Sequence, residues 1–180
     1  MRVITLMNKV FRKISDHYRK KHFKDIIKCG HNDFRVLGPI YVFNTNVVLG
    51  KNVILYPGVT FSGSGPIKIG DNTKIGNNTM ICATSSGGIT IGSHTAIAAD
   101  CYIIDADHGT KRGELVDHQE MVVKKVEIGD NVWLGTHVVV LKGSVIHNGA
   151  VVGAMSLVNS EIKEESINVG IPASFIKDKS

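Results

Sequence analysis

His108 stands in the run Ile104-Asp105-Ala106-Asp107-His108-Gly109, where the chain makes its longest departure from an otherwise regular pattern. A neutral imidazole has a pKa near working pH, so a histidine placed beside a substrate hydroxyl can remove its proton as the oxygen attacks a carbonyl. The three cysteines, Cys29, Cys82 and Cys101, form no CxxC pair and have no histidine at a motif spacing. Cys101 shares a compact slot with Thr73, Thr79 and Thr95, which predicts buried packing. Asp105 and Asp107 stand three residues and one residue before the histidine, odd spacings that put neither on its face in an extended chain, so neither is assured of reaching the ring. What orients the imidazole is therefore left open at this level. A solvated loop histidine is the plain alternative; against it stands the position on an excursion, where repeat scaffolds carry function.

The elements that must position His108 follow a beat of six. From Val126 to Val158, every sixth residue is aliphatic: Ile128, Leu134, Val140, Ile146, Val152 and Val158. Four places after each comes a compact residue, as at Val132, Val138, Ser144, Ala150 and Ser156. Gly129, Gly135, Gly153 and Asn159 directly follow inward positions and are read as corners that tolerate a positive φ. Period six fits neither an amphipathic helix nor an alternating strand. It fits a chain that turns a corner every six residues and points one aliphatic side chain per side into a prism. Three sides close a coil, and stacked coils bury a core that none could bury alone. The beat is read from Leu37 through Phe43, Leu49, Leu55 and Phe61, slips by two at Gly63–Pro66, and resumes at Ile69, Ile75 and Ile81. Thr84–Gly88 delays it to Ile91, followed by Ile97 and Ile103, and residues 104–127 then form the long loop. Counting in threes predicts between five and six coils.

A beat of this kind, broken by a histidine-bearing loop and followed by Val132-Trp133-Leu134-Gly135, resembles the hexapeptide-repeat acyltransferases. The resemblance runs from about Leu37 to Lys177, is strongest after Ile89, and is to the sugar O-acetyltransferases (galactoside, maltose and envelope-polysaccharide enzymes). It implies an all-β, left-handed parallel β-helix, an exception to the right-handed crossover rule. It also implies a homotrimer, acetyl-CoA as co-substrate without a metal, and transfer to a saccharide hydroxyl in a ternary complex. His108 matches the catalytic histidine, approached through Ile91-Gly92 and Ile97-Ala98. Trp133 matches an indole walling the acetyl pocket, between substrate and cofactor. Thr136, Gly153 and Ala154 match the floor of the pantetheine groove, Asn159 the adenine end, and Lys177 a cationic position near the phosphates. Asn78, Asp105, Asp107 and Glu120 are the substrate-side candidates. Two departures stand out: Ser174 replaces a basic residue of the family's closure, and Ala83-Thr84-Ser85-Ser86 replaces an aspartate pair of the galactoside enzymes, leaving the sugar open. By analogy with the family, each site is expected to lie between two chains. The alternatives are an N-acetyltransferase of an amino sugar or antibiotic, a γ-class carbonic anhydrase-like zinc enzyme using His94, His118, His137 or His147, and a non-catalytic β-helix. The zinc reading lacks the paired histidines five apart of that class.

Charge divides the chain unevenly. The first 28 residues hold nine basic and two acidic side chains, a local +7, while the whole chain carries +5. Residues 1–30 are read as a basic amphipathic helix with Val10, Phe11, Ile14 and Tyr18 on one face, continued by Phe23, Ile26 and Ile27 and ended at Cys29-Gly30. Residues 31–180 form the β-helix domain. Two roles suit the helix: contact with anionic lipid or an anionic glycan carrier, or capping of the open end that a solenoid requires. Nucleic acid is not expected, since no recognition motif accompanies the charge. The 180 residues suit one core. No apolar run approaches the roughly 20 residues of a membrane span, and the start lacks a signal-peptide pattern. The sequence thus reads as a cytoplasmic protein, with peripheral contact at the inner membrane face as the variant.

Overall fold

The computed structural model describes residues 15, 17–18, 21–27, 31–84 and 86–180. Three parallel sheets, here called faces A, B and C, wrap a single apolar interior. The chain visits them in fixed order, and each strand pairs with the strand one coil away. Face A begins at Phe34–Val36, face B at Tyr41–Val42 and face C at Val47–Leu49, and faces B and C have six strands each. Face A has eight, of which the last runs antiparallel. Six complete coils result, with one further face A strand below them.

The six-residue beat is the inward column. Leu49, Leu55, Phe61, Ile69, Ile75, Ile81, Ile91, Ile97, Ile103, Ile128, Leu134, Val140, Ile146, Val152 and Val158 are all buried. Two expectations at the start are corrected. Leu37 is half-buried and Phe43 is 73% exposed, while Val36 and Val42 pair with the inward Leu55 and Phe61. The first coil turns from face B to face C through a side one residue longer. Asn44 points inward there and donates to the Ser62 and Gly65 carbonyls. At the other end a corner is two residues shorter: Ile162 pairs with Ile146, four residues after Val158, and completes the sixth coil.

The corners also differ from expectation. The left-handed backbone falls three residues after the inward one, at Asn52, Asn72, Asn78, His94, Asp100, Asn131, His137 and Met155, with Gly143 (φ 75°) and Gly149 in the same slot. Asparagine and aspartate tolerate this conformation best among non-glycine residues. The glycines directly after inward positions have another cause, close stacking: a Cβ on Gly135 would lie 2.5 Å from the Ala154 amide nitrogen. The compact slots are buried, and their hydroxyls bind downwards. Thr73, Thr79 and Thr95 donate to the carbonyls of Gly92, Ala98 and Gly129 at 2.7, 3.1 and 2.9 Å. Cys101 takes the same role, its thiol reaching the Gly135 carbonyl at 3.2 Å.

Helical residues 21–27 close the upper end. Phe23 and Ile27 are buried, with Phe23 edge-on to Phe34 at 5.7 Å and stacked on Phe61 at 6.0 Å. Tyr18 is 68% exposed and does not join that apolar face. Val10, Phe11, Ile14 and Cys29-Gly30 lie outside the described residues. Among those described, no helix is long and apolar enough to cross a membrane. At the lower end the inward position is the buried Asn168, and the chain returns through an antiparallel hairpin, Ser166–Gly170 against Ala173–Asp178.

Candidate active site

Every insertion into the beat falls at one edge, the corner between faces B and C, in four successive coils. Residues 44–46, 63–66 and then 84 and 86–88 stack there, and the excursion follows them. The excursion is a hairpin: Ala106 and Asp107 pair antiparallel with Val123 and Val122. Its base is held from above by Asp105, which is fully buried and accepts the amides of Thr84 at 2.9 Å and Gly88 at 2.6 Å. Both carboxylate oxygens of Asp105 are thus engaged by backbone amides of the corner above. Asp107 is ion-paired to Lys142 of the next coil. His108 follows at once, exposed, and its ring has no hydrogen bond or ion pair among the described residues.

Beyond His108 the loop is internally braced. Gln119 receives the Lys111 amide at 2.7 Å and donates to the carbonyls of Lys111 and Glu114. Gly109 is buried against Gln119, and a Cβ there would lie 3.0 Å from the Glu120 carbonyl oxygen. Glu120 is thus brought across the hairpin from His108-Gly109, with its side chain exposed. The tip presents Leu115 and Val116, 65% and 55% exposed.

The cofactor-side candidates gather elsewhere. Trp133 stands on face A beside Ala96 and Val151 and is 56% exposed. Thr136 donates to the Ala99 carbonyl at 2.9 Å at the corner between faces A and B. Gly153 and Ala154 lie at the same corner one coil below, Ala154 exposed. A groove of about 250 Å³ adjoins them, lined by His137, Val139, Met155, Ser156, Leu157 and Ile171. Asn78 is on this edge too, donating to Asp100 at 3.1 Å. Lys177 is exposed on the return strand, opposite Ile167. Asn159 sits apart, in the shortened corner between faces B and C. Within one chain, then, His108, Asp107, Glu120 and Asn159 occupy one edge of face B, and Trp133, Thr136, Gly153, Ala154 and Asn78 lie on or beyond the other.

Between the two edges runs the outward column of face B: Tyr41, Thr60, Met80, Tyr102, Val139 and Leu157, with no charge. Burial, then Cys82 and Asp107 nearby, raise the Tyr102 phenol above its ordinary pKa, so it stays neutral at working pH. Burial pushes the Cys101 thiol up to about 11, which makes it a poor nucleophile. Among the described residues no group of three or more His, Cys, Asp or Glu is arranged to hold a metal. Lys142 was not singled out by sequence; a lysine at a corner carries no signal of its own.

Comparison with known proteins agrees with this architecture. Residues 125–160 match the family described as "Bacterial transferase hexapeptide (six repeats)". The chain is 35% identical over 150 residues to the Escherichia coli K12 "Putative lipopolysaccharide biosynthesis O-acetyl transferase WbbJ", covering 77% of this chain and 76% of that protein. A hexapeptide-repeat acetyltransferase of Vibrio cholerae, VCA0836, solved with acetyl coenzyme A, superposes with a TM-score of 0.60. It is 30% identical, with 67% of this chain and 65% of that one covered. AntD, an N-acyltransferase of Bacillus cereus solved with dTDP and 3-hydroxybutyryl-CoA, gives a TM-score of 0.80 at 21% identity, over 90% of this chain and 88% of that one, a likeness of fold alone. The chain belongs to the hexapeptide-repeat transferases and is an acyltransferase built on their left-handed parallel β-helix.

Proposed function

We propose that this protein transfers the acetyl group of acetyl-CoA to a saccharide hydroxyl in a ternary complex, at clefts formed between the prisms of a homotrimer, with His108 as the general base. The observation that carries the reading is the separation of His108 from Trp133, Thr136, Gly153 and Ala154 by the width of an uncharged face B. Packing of that face against a neighbour brings one chain's hairpin towards another chain's groove. Closed symmetry of this kind is ordinary. The relative WbbJ, described as an O-acetyl transferase of lipopolysaccharide biosynthesis, supports a saccharide acceptor. The acetyl coenzyme A bound to VCA0836 supports the donor.

In the proposed step His108 takes the hydroxyl proton as the sugar oxygen adds to the thioester carbon. Backbone N–H groups at a coil corner stabilise the oxyanion. Its collapse releases the coenzyme A thiolate, which recovers the proton from the imidazolium. Trp133 walls the acetyl pocket, Thr136, Gly153 and Ala154 floor the pantetheine groove, Asn159 meets the adenine end and Lys177 a phosphate. Asn78 and Glu120 face the acceptor. Helical residues 21–27 serve as a cap for the 31–180 domain rather than as a membrane anchor, in keeping with the buried Phe23 and Ile27.

The test is His108→Ala, assayed by thiol release over a panel of sugar hydroxyls and amines. Turnover should fall on the order of 10²–10⁴-fold, with coenzyme A affinity and oligomer mass unchanged; unchanged turnover removes His108 from the mechanism. Refolding His108→Ala together with Ala154→Trp, each inactive alone, should restore partial activity through clefts that hold neither defect. No recovery in mixed oligomers verified by native mass spectrometry would put both residues of a cleft on one chain. Acetylation of amines alone would replace the hydroxyl acceptor by an amino sugar.

A further inference from the structure

We infer that Lys142 is a positioning residue for His108, acting through Asp107 to fix the angle at which the hairpin leaves the prism. This rests on the reading of His108 as the base. A single chain gives the imidazole no partner of its own, so its placement depends on the backbone immediately before it. That backbone is Ala106-Asp107, a ladder of only two residue pairs with Val122 and Val123. An isolated two-stranded hairpin is marginal by itself, and this one needs a fixed point.

Two such points exist, one on each neighbouring coil. Above, Asp105 is tied to the corner amides of Thr84 and Gly88. It fixes where the hairpin begins, three residues before His108, but leaves its tilt free. Below, Lys142 rises from the corner of the fifth coil, 35 residues along the chain, and its ammonium grips the Asp107 carboxylate. Lys142 has only 22% of its side chain exposed, whereas Asp107 has 44%. A partly buried lysine leaning on a residue adjacent to the base is a different object from a pair of solvated surface charges. The returning strand is seated on the same corner. The Gly143 amide donates to the Lys124 carbonyl at 3.2 Å, and a Cβ at Gly143 would lie 3.1 Å from the Lys124 side chain. Lys142 and Gly143 thus form a saddle under both legs of the hairpin, and the ion pair locks the leg that carries His108.

Orientation is where such a lock acts. A displacement of about 1 Å at a reacting group costs on the order of 10²-fold in rate. Most of the acetyl-CoA contacts, at Trp133, Thr136, Gly153 and Ala154, are assigned to the other edge of face B, and Lys142 touches none of the assigned cofactor residues, so cofactor binding should sense the change little. Lys142→Met keeps the aliphatic stem and removes the charge. It should lower kcat on the order of 10²-fold while leaving the coenzyme A dissociation constant within about twofold, and Lys142→Arg should recover most of the loss. Asp107→Asn should reproduce the loss, and Lys142→Met/Asp107→Asn should be no worse than either alone.

The readout that a merely structural role would not give is non-additivity with the base. In a His108→Ala background, Lys142→Met should leave the residual rate unchanged, because its only route to the chemistry is gone. Equal fractional losses in the wild-type and His108→Ala backgrounds would overturn the inference. So would wild-type turnover in Lys142→Met when His108→Ala is inactive. If Lys142→Met does not fold, Asp107→Asn carries the same cycle from the other side of the ion pair. Full turnover in His108→Ala would instead remove the reading on which the inference stands, so the two failures are separable.

Discussion

Faces B and C of the prism share one inner logic and differ completely outside. Inward, face B contributes Phe61, Ile81, Ile103, Val140 and Val158, and face C contributes Leu49, Ile69, Ile91, Ile128 and Ile146, all buried. Outward, face C alternates charged with small uncharged side chains: Val48, Lys68, Thr90, Glu127, Val145 and Glu161. Face B has no charge in the corresponding column, yet Tyr41 is 54% and Met80 38% exposed. In the proposed trimer this row of uncharged side chains is the surface that meets a neighbour, whereas charges suit a sheet that stays in water. One repeat therefore specifies two things independently. Its inward residue builds the coil, and its outward residue decides what the coil meets.

The largest effect expected from that contrast comes from placing a charge in each outward column. Met80→Asp should abolish both oligomer formation and turnover, because the carboxylate would be buried without a partner against the neighbour. Thr90→Asp, on face C, should leave both unaltered. Size-exclusion chromatography with light scattering, run beside the thiol-release assay, reads both variants. An active Met80→Asp monomer would break the comparison and with it the shared cleft.

The inner columns should respond alike. Ile81→Ala on face B and Ile91→Ala on face C each remove a buried side chain in the third coil, and each should cost about 2–5 kcal/mol in chemical denaturation. If only Ile81→Ala were severe, face B would draw stability from association as well as from its core, which denaturation at several protein concentrations would expose.

How far this was legible in the sequence depends on whether an interaction repeats. The inward column from Leu49 onwards and the compact slots recur with a fixed period, so their burial could be read without coordinates. The first coil misled because Phe43 is a better hydrophobe than Val42. Only the inward turn of Asn44, bonded to a corner 21 residues away, reveals the extra residue. Ile162 was hidden by the opposite change, a corner two residues short. A glycine directly after an inward residue does not mark the positive-φ corner, since close stacking and a positive φ both select small residues. For the site, the long gap in the beat located His108, yet nothing in the pattern joins Asp107 to Lys142. That contact depends on how the excursion hinges on the coil below, which no period encodes. Asp105 shows the same limit. A carboxylate two residues beyond an inward position reads as solvated loop until the amides of Thr84 and Gly88 are seen to surround it.

The smallest expected effect tests a compact slot rather than a face. At the corner leading into face B this slot holds Thr79 and then Cys101, and at the corner leading out of face C it holds Thr73 and Thr95. All four sit in equivalent buried positions and donate to a carbonyl of the next coil. If the slot needs only a small donor, Cys101→Thr should be almost silent at pH 7, with Tm within about 2–4 °C of the wild type. The two proteins should part at high pH. Burial raises the Cys101 thiol from 9.0 to about 11, so the unfolded chain ionises first and the folded chain later. The sign follows from linkage: the stability held below pH 9 is lost progressively as pH rises towards 11, because the thiolate favours the unfolded state. Threonine has no such ionisation. The Tm difference between Cys101→Thr and wild type should therefore grow in favour of the variant between pH 9 and 11, and a difference that stays flat would mean that the thiol is not buried in solution.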